Sequence, residues 1–371
     1  MNALAASIAE DVARAGPITF AEFMARALYD PERGYYASGR VRTGRAGDYL
    51  TSPELDPAYG ELWARAFEQV WDGCGRPERF DVVELGPGEG SFAAAVAAAA
   101  RPPFRDALAL RLVEPVPALR ARQEARLAGV ARASWHDSLA DVGRVADGCV
   151  FVNEVLDNLP VHVVEARGGR IEELWVATRA GALTFEPGPP SSDDVVAYLA
   201  RLGVELPDGH RYEVGLEAER AARAAADVVA RGAVIVVDYG DSARALAERP
   251  AGTLLAYDGR GVDDDVLRDP GERDVTAHVN WTAVGGALEG AGCHVRGPAT
   301  QRAALAELGV ADVLDRLRAA GRAPGASGRD VVRALSRRQA VAALVDPGGL
   351  GGLGVVVGLA GVPSPPFARA W

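Results

Sequence analysis

The sequence predicts an α/β fold: a Rossmann-like sheet with helices on both faces, a helical N-terminal region and an inserted substrate-side subdomain. Two observations indicate this fold. Short apolar runs rich in β-branched residues alternate with alanine-rich helical stretches along most of the 371 residues. One such run, Val82–Leu85, leads into Gly86, Gly88 and Gly90, and a helical stretch follows. A strand, a glycine turn and a helix in this order are typical of folds that hold a nucleotide-like ligand against the backbone at a helix N-terminus.

The elements divide the chain into two predicted parts. Residues 1–79 are expected to be mainly helical, with one helix beginning at the capping box Thr19–Glu22 and another at Asp56-Pro57. Residues 80–371 are expected to form the cofactor domain, with an insertion at about 161–226 and an acidic, turn-rich, lid-like segment at about 241–281. The predicted strands of its sheet are Val82–Leu85, Ala109–Val113, Ala131–Trp135, Val150–Asn153, Ala233–Asp238, His294–Arg296 and Gly354–Leu359.

The acidic character of the glycine turn indicates which ligand it holds. A dinucleotide site reads G-x-G-x-x-G, and the positive end of the helix dipole holds the pyrophosphate. Here Gly90 comes one residue early, Pro87 removes a backbone donor, and the carboxylates of Glu84 and Glu89 flank the turn. Each unpaired negative charge beside a phosphate costs on the order of 1 kcal/mol. S-adenosylmethionine has no phosphate and carries a positive sulfonium and a positive amino group, so the turn favours this cofactor over NAD.

Two further positions extend the predicted cofactor site. Glu114 ends the second strand, where a carboxylate accepts hydrogen bonds from a pair of ribose hydroxyls. Asp137 and Ser138 follow the third strand, where an acid accepts a hydrogen bond from the exocyclic amine of an adenine. For these two residues, an N-cap of the next helix is an equally good interpretation. The predicted cofactor-binding residues are Glu84, Gly86, Gly88, Gly90, Glu114, Asp137 and Ser138.

A polar cluster follows the fourth strand. Asn153, Glu154 and Asp157 leave this strand at its carboxyl end, the edge where open α/β sheets bind their ligands. Two carboxylates at such a place hold a guanidinium by bidentate hydrogen bonds or take a proton from a nitrogen nucleophile. We therefore predict that these three residues are catalytic, the alternative being a polar turn before the next strand. Asp238 and Tyr239 end a later strand at the same edge, and either face the substrate or close a turn.

Composition excludes several functional classes. The formal net charge of −11 argues against nucleic acid as the main partner. All 40 basic residues are arginine, which excludes a P-loop lysine and a lysine Schiff base. Three distant cysteines and five scattered histidines indicate neither a disulfide framework nor a metal site. The N-terminus has no signal-peptide pattern and no apolar run is long enough for membrane insertion, so we predict a cytoplasmic protein.

Together, these segments resemble the MidA-type methyltransferases, a family that includes the mitochondrial arginine methyltransferase needed for respiratory complex I assembly. The similarity runs over nearly the whole chain, so it is far more specific than the glycine turn alone. The matching segments are Gly16–Phe20, Asp30–Pro31 with Gly34–Tyr36, Gly47–Tyr49 with Thr51–Glu54, Val83–Gly88, Asn153–Glu154 with Asp157 and Leu159–Pro160, Asp238–Gly240, Asp269–Gly271, Asp274–Val279 and Thr300–Gln301.

The resemblance implies a class I methyltransferase fold, S-adenosylmethionine as methyl donor, and a protein arginine as acceptor. A respiratory complex subunit, another protein and a small nitrogenous molecule are the alternative sources of the acceptor nitrogen. It assigns the glycine turn and Glu114 to the cofactor, and the cluster after the fourth strand to the site. It also makes the Gly47–Glu54 loop a wall of the active site. Family members usually carry two aromatic residues after the glutamate that matches Glu154, whereas Val155 and Leu156 stand here, so the acceptor pocket differs.

Three functional hypotheses follow. The first is an enzyme that methylates a nitrogen, most simply an arginine of a partner protein. The second is an assembly or binding module that keeps the fold without transferring a methyl group, against which the retained pair Glu154 and Asp157 argues. The third, a nicotinamide dehydrogenase, is disfavoured by the acidic turn.

Overall fold

A computed structural model describes residues 2–37, 51–130, 132–259 and 261–371. Its strands are β1 (Ile18–Thr19), β2 (Phe80–Leu85), β3 (Leu108–Val113), β4 (Ala133–His136), β5 (Val145–Asn153), β6 (His162–Arg167), β7 (Arg170–Arg179), β8 (Ala182–Gly188), β9 (Arg211–Val214), β10 (Val229–Asp238), β11 (Gly240–Asp241), β12 (Leu255–Asp258), β13 (Gly261–Asp263), β14 (Asp274–Thr276), β15 (Val279–Asn280), β16 (His294–Thr300) and β17 (Gly354–Ala360).

The helices lie between these strands, and one precedes β1. They are α1 (Ala3–Ala15), α2 (Phe20–Tyr29), α3 (Ser52–Leu55), α4 (Ala58–Gly73), α5 (Ser91–Ala99), α6 (Phe104–Ala107), α7 (Pro117–Arg126), α8 (Leu139–Val142), α9 (Asp193–Arg201), α10 (Leu216–Val228), α11 (Ala243–Ala247), α12 (Trp281–Gly290), α13 (Gln301–Glu307), α14 (Val310–Ala320) and α15 (Gly328–Ala343). Three 3₁₀ turns are Leu156–Asn158, Leu350–Gly352 and Pro366–Ala368.

The central sheet has seven strands in the order β16-β17-β10-β5-β2-β3-β4. The strands from β10 to β4 run parallel, and β17 runs antiparallel to both β10 and β16. Helices α4, α5 and α13 to α15 pack on one face, and α10 and α12 pack on the other. Because both faces are covered, the inner strands are apolar along nearly their whole length. The predicted α/β sheet with helices on both faces is confirmed.

The strand register brings the carboxyl ends of four strands to one edge of the sheet. Leu85 at the end of β2 pairs with Val113 of β3 and Val152 of β5. Asn153 at the end of β5 pairs with Val237 of β10. The glycine turn, Glu114, Glu154 and Asp238 therefore follow these strands at the same edge, where such sheets bind ligands.

A second, antiparallel sheet forms from the segment that follows β5. Its strand order is β1-β7-β6-β9, and β8 pairs with the other side of β7. Helices α1 and α2 pack on it through a buried cluster that includes Ile8, Phe20 and Phe23. The N-terminal region thus supplies a strand as well as helices, because Ile18 and Thr19 pair with Val176 and Trp175.

The predicted starts of the two N-terminal helices fall within one residue of the structure. The hydroxyl of Thr19 accepts a hydrogen bond from the N–H of Glu22 at the start of α2. Helix α4 begins one residue later than predicted, at Ala58, whose N–H donates to the carboxylate of Asp56. The same carboxylate also pairs with Arg337 of α15, so it serves tertiary structure as well as the helix start.

The acidic segment between residues 241 and 281 contains more regular structure than its sequence predicts. Strands β12, β13 and β14 form a small antiparallel sheet, and β11 pairs with β15. These strands are two to four residues long, which is too short for an alternating apolar pattern to show in the sequence. The pairing places Asp274, the first residue of β14, beside the turn that follows β5.

Candidate functional site

A cavity of about 310 Å³ opens at the carboxyl edge of the central sheet. Its walls come from the glycine turn, the ends of β3 and β5, the N-terminal tyrosines and α3. The lining residues are Tyr29, Tyr36, Thr51, Pro53, Glu54, Glu84, Leu85, Gly86, Pro87, Gly88, Glu89, Val113, Glu114, Pro115, Val116, Leu119, Asn153, Glu154, Val155, Asn158 and Leu159. Thr51, Pro53 and Glu54 agree with the implied wall at residues 47–54, whose first four residues lie outside the described chain.

The glycine turn reaches the cavity because its backbone is left-handed. Gly86, Gly88 and Gly90 have φ values of +65°, +51° and +77°, which a side chain with a Cβ adopts at a cost. At Gly86 a Cβ would also lie 2.8 Å from the Cγ2 of Val155. Gly86 and Gly88 line the cavity, whereas Gly90 precedes α5 and faces Gln123.

Glu84 is a buried carboxylate at the cavity wall. Its side chain is 7% exposed, and its Oε2 has no hydrogen-bond partner among the described residues. Burial raises the pKa of Glu84 to about 8. A buried acceptor oxygen without a donor is costly unless a ligand supplies one. Glu84 therefore fits a ligand that brings a cationic donor into the cavity.

Glu114 is held by a small network that the sequence does not reveal. Its Oε1 accepts from the N–H of Val116 at 2.8 Å, and its Oε2 accepts from the Nε2 of Gln123 at 3.2 Å. The same Nε2 donates to the carbonyl of Gly88, and the Oε1 of Gln123 accepts from the indole of Trp135. Gln123 thus joins the glycine turn to Glu114. No local pattern marks it, since it is one polar residue on an arginine-rich helix.

Glu154 follows β5 in a backbone conformation that is unusual for a glutamate. Its φ is +52°, a left-handed value that costs on the order of 1–3 kcal/mol outside glycine. The carboxylate Oε1 accepts from the N–H of Ser52 and from the Nδ2 of Asn153, both at 3.0 Å. The hydroxyl of the buried Tyr59 donates in turn to the Oδ1 of Asn153. Burial is the main cause that raises the pKa of Glu154 to about 7.

Behind Glu154 lies a buried group of acids. The Oδ2 of Asp238 accepts from the N–H groups of Val155, Leu156 and Asp157 at 2.9–3.3 Å, and its Oδ1 accepts from the N–H of Tyr239. Burial, with Asp238 and Asp274 nearby, raises the pKa of Asp157 well above its usual range. Its Oδ1 has no hydrogen-bond partner in the described chain. Asp238 closes the turn, which answers the question that its sequence left open.

The acids are joined to the cavity surface by Asn158 and a tyrosine pair. The Nδ2 of Asn158 donates to Asp274 at 2.9 Å, and the hydroxyl of Tyr36 donates to the same carboxylate at 3.1 Å. The rings of Tyr29 and Tyr36 are stacked with centroids 5.6 Å apart. Tyr29 also donates to the carbonyl of Asn158. Aromatic residues therefore line this end of the cavity, although they come from the N-terminal region.

Besides Gly90, two of the predicted cofactor residues lie outside the cavity lining. Asp137 follows β4 with its side chain 74% exposed, and it pairs with Arg120. Ser138 is the N-cap of α8, where its hydroxyl accepts from the N–H of Asp141. Asp157, one of the predicted catalytic residues, is also absent from the lining because the 3₁₀ turn directs it toward Asp238.

The described residues of the cavity wall carry charge of one sign. Five glutamates lie among them, and none of those lining residues is basic. Among the described residues, Glu89 is the only one of these five glutamates with an ion pair, which Arg122 makes at 2.6 Å. An acidic, partly enclosed cavity attracts cations and repels phosphates.

Comparison with a known protein family agrees with a cavity that binds S-adenosylmethionine. A family model described as "Putative S-adenosyl-L-methionine-dependent methyltransferase" matches residues 62–299, nearly two thirds of the chain. The chain belongs to this family. The MidA-type resemblance is confirmed, and the chain is an S-adenosylmethionine-dependent methyltransferase.

Individual relatives support the same conclusion. The Drosophila melanogaster "Protein arginine methyltransferase NDUFAF7 homolog, mitochondrial" is 31% identical over 81% of this methyltransferase and 73% of its own length. The Danio rerio protein of that name is 28% identical, covering 82% and 76% of the two chains. A COG1565 superfamily protein from Burkholderia thailandensis, solved with bound S-adenosyl-homocysteine, is 31% identical with a TM-score of 0.88. The match covers 99% of this methyltransferase and 94% of that structure.

The residues of this methyltransferase fit S-adenosylmethionine. The unpartnered oxygen of Glu84 is suited to a cationic donor, and the bare backbone of Gly86 leaves room that a Cβ would fill. None of the described lining residues is basic and five are glutamates, which would repel a pyrophosphate. The predicted cofactor is therefore confirmed, and the dehydrogenase hypothesis is excluded.

One prediction is wrong. The sequence pattern predicts a cytoplasmic protein, whereas the fly and zebrafish relatives are both named as mitochondrial. That expectation relied on the missing secretory pattern, which does not distinguish the cytosol from the interior of an organelle. Within the described residues, no helix is long and apolar enough to cross a membrane.

Proposed function

We propose that this methyltransferase transfers a methyl group to a guanidinium nitrogen of an arginine in a partner protein. The main support is the acidic cavity, which has five glutamates and no basic side chain among its described lining residues. An arginine side chain keeps its charge at any physiological pH, so an acidic cavity favours its entry. The names of the fly and zebrafish relatives support the same acceptor.

We assign one end of the cavity to the cofactor. Glu84 would accept from a cationic group, Gly86 and Gly88 would let the ligand approach the backbone, and Glu114 would accept from ribose hydroxyls. Gly90 would shape the turn without touching the ligand, since it faces Gln123. Asp137 and Ser138 remain proposed adenine neighbours. When bound, S-adenosylmethionine supplies a methyl group on a cationic sulfur.

We assign the other end of the cavity to the acceptor. The ionised carboxylate of Glu154 would hold the guanidinium and take the proton that its nitrogen loses on methylation. Asn153 would orient Glu154 through the hydrogen bond between them. Asp157 would act from behind Glu154 by constraining the turn, since burial and the neighbouring acids raise its pKa and favour its protonated form. The stacked rings of Tyr29 and Tyr36 offer a flat surface for the guanidinium plane.

The departure from the family at residues 155 and 156 concerns the aromatic residues that would contact the acceptor. Val155 packs against Gly86 at the cofactor end, and Leu156 is buried. Aromatic contact with the acceptor would therefore come from Tyr29 and Tyr36 instead. The proposed acceptor pocket is therefore built of acids and aromatic rings, with the rings supplied by the N-terminal region.

The test uses short peptides that differ at one side chain. A peptide with a single arginine, incubated with isotope-labelled S-adenosylmethionine, should gain label on the guanidinium, as located by fragment mass spectrometry. The same peptide with citrulline or lysine should stay unlabelled, because neither side chain has a cationic guanidinium. Label on lysine, or on all three peptides, would contradict the proposed acceptor. Glu154→Gln should remove the label from the arginine peptide.

A further inference from the structure

The outer side of α15 differs in charge from the rest of the chain. The molecule has a net charge of −11, yet this 16-residue helix contains four arginines and one acid. The acid, Asp330, caps the helix start, where its carboxylate accepts hydrogen bonds from the N–H and the hydroxyl of Ser327. The arginine charges along the helix are therefore left largely uncompensated within it.

A shallow, open groove runs along the outer side of this helix. It is lined by Gly328, Arg329, Val332, Arg333, Ser336 and Arg337. Val332 is 66% exposed, and nearby Leu335 is 45% exposed. Within the described chain, Arg329 and Arg333 form no ion pair. A patch that combines exposed aliphatic side chains with unpaired arginines is typical of a binding surface.

A chain of contacts through α3 links the groove to the active-site cavity. Arg337 binds the carboxylate of Asp56 through two hydrogen bonds of 2.8 Å. Asp56 directly follows α3, whose residues Pro53 and Glu54 line the cavity. The N–H of Ser52 at the start of α3 donates to Glu154. The groove and the acceptor end of the cavity therefore lie on either side of one short helix.

We propose that this groove binds an acidic segment of the methyl-acceptor protein, with aliphatic side chains that contact Val332 and Leu335. That the segment belongs to the methyl-acceptor protein rests on the proposed function. That the segment is acidic and partly aliphatic follows from the residues of the groove. Arginines at positions 329 and 333 pair with carboxylates, and a segment held there lies close to the cavity that receives the arginine. The two exposed aliphatic residues favour a protein segment over nucleic acid, which offers phosphates and no aliphatic side chains.

The first measurement uses a defined probe, a fluorescein-labelled amphipathic peptide of glutamate, leucine and alanine. Its fluorescence anisotropy should rise with the wild-type protein, and the affinity should fall as salt is added. The double variant Arg329→Glu, Arg333→Glu should bind at least about tenfold more weakly, since two attractions become repulsions. Val332→Asp should weaken binding roughly threefold or more by placing a charge against the leucines.

A matched control changes charge by the same amount elsewhere. Arg170 and Arg179 lie exposed at the two ends of β7, so Arg170→Glu, Arg179→Glu should bind the probe within about twofold of wild type. Equal affinity for the wild type and the α15 double variant would overturn the proposal. So would arginine-dependent binding of phosphatidylcholine–cardiolipin vesicles without binding of the peptide, which would make the groove a membrane-contact surface.

The link to methyl transfer is measured with two substrates. One is a short arginine peptide, and the other is the same peptide joined to the acidic segment. The α15 double variant should raise KM for the joined substrate about tenfold, with kcat and the short peptide unaffected. An unchanged KM would contradict the proposed docking of the acceptor. If neither peptide is methylated although the probe binds through α15, the proposed acceptor is wrong and the acidic occupant of the groove is supported.

Discussion

The two ends of the cavity hold their carboxylates in different ways. At the proposed cofactor end, Glu84 and Glu114 each stand at the end of one strand, and burial dominates the raised pKa of each. At the proposed acceptor end, Asp157 and Asp238 lie close together with Glu154 beside them, so repulsion between like charges adds to burial. One end holds isolated acids, and the other holds a group of acids that influence one another.

This difference matters for ligand binding. An isolated buried carboxylate is satisfied by one cationic donor, as the unpartnered oxygen of Glu84 indicates. A group of acids can share protons, so its members ionise in steps that belong to the group. We therefore expect changes at the cofactor end to alter affinity, and changes at the acceptor end to alter turnover and its pH dependence.

The largest expected effect comes from filling the glycine turn. Gly86→Val places a branched side chain at a φ of +65° and directly against Val155. The backbone strain alone is worth on the order of 1–3 kcal/mol, and the clash adds to it. We expect the affinity for S-adenosylmethionine, measured by calorimetric titration, to fall at least about 100-fold.

A control substitution at a second glycine distinguishes a loss of ligand binding from a loss of stability. Gly181 has a φ of +80° in the turn after β7, and a Cβ there would meet no atom within 4 Å. Gly181→Val should therefore lower the melting temperature by a similar backbone strain while leaving cofactor affinity unchanged. Wild-type affinity in a folded Gly86→Val protein would show that the turn does not hold the cofactor.

At the acceptor end, Glu154→Gln tests turnover rather than affinity. Removing a general base typically costs 10²–10⁴-fold in rate, so kcat for an arginine peptide should fall by roughly that factor. The affinity for S-adenosylmethionine should stay within about twofold, because the amide keeps the size of the side chain. Glu124→Gln, on the exposed side of α7, serves as the control and should leave both quantities unchanged. An undiminished kcat in Glu154→Gln would remove Glu154 from the proposed chemistry.

The pH profile sharpens the same assignment. Glu154 has a pKa of about 7, raised by burial, so its carboxylate is ionised above that pH and protonated below it. The kcat/KM of the wild type should therefore rise as the pH increases from about 6 to 8. In Glu154→Gln this rising limb should flatten. A wild-type profile that is level across this range would contradict the proposed role.

A smaller effect, on stability as well as affinity, is expected at Glu84. Its pKa is raised from 4.5 to about 8, so ionisation favours the unfolded chain as the pH rises between these values. Glu84→Gln removes that penalty, and its melting temperature relative to wild type should increase from pH 5 to pH 8 and then level off. The same variant should bind S-adenosylmethionine roughly tenfold more weakly because it lacks the negative charge. A constant difference in melting temperature across this pH range would show that the pKa of Glu84 is not raised in the folded protein.

The sequence predicts the cofactor end better than the acceptor end, for a physical reason. Glu84, Gly86, Gly88 and Glu114 follow apolar strands directly, and parallel strands bring their carboxyl ends to one edge. Glu154 is placed at the cavity by the same logic. Asp157 follows three residues later, and there the 3₁₀ turn decides its direction, which spacing along the chain does not reveal.

The remaining parts of the acceptor end come from distant segments. Ser52 donates to Glu154 across 102 residues, and Tyr36 reaches Asp274 across 238 residues. Such contacts depend on how α2, α3 and the short strand β14 pack against the turn after β5. Local periodicity carries no information about that packing, so a single sequence shows the polar residues without showing which of them meet.

The smallest expected effect concerns the two residues that follow β4, Asp137 and Ser138. Asp137 is a predicted adenine neighbour, but its side chain is 74% exposed and already pairs with Arg120. A hydrogen bond to an exposed carboxylate is worth little, so Asp137→Asn should weaken S-adenosylmethionine binding by roughly threefold at most. Ser138→Ala, which removes the cap of α8, should lower the melting temperature slightly and weaken binding no more than Asp137→Asn does. A tenfold loss of affinity in Asp137→Asn would mean that Arg120 releases this carboxylate when the cofactor binds. The cofactor end would then also depend on a rearrangement that its strand ends do not predict.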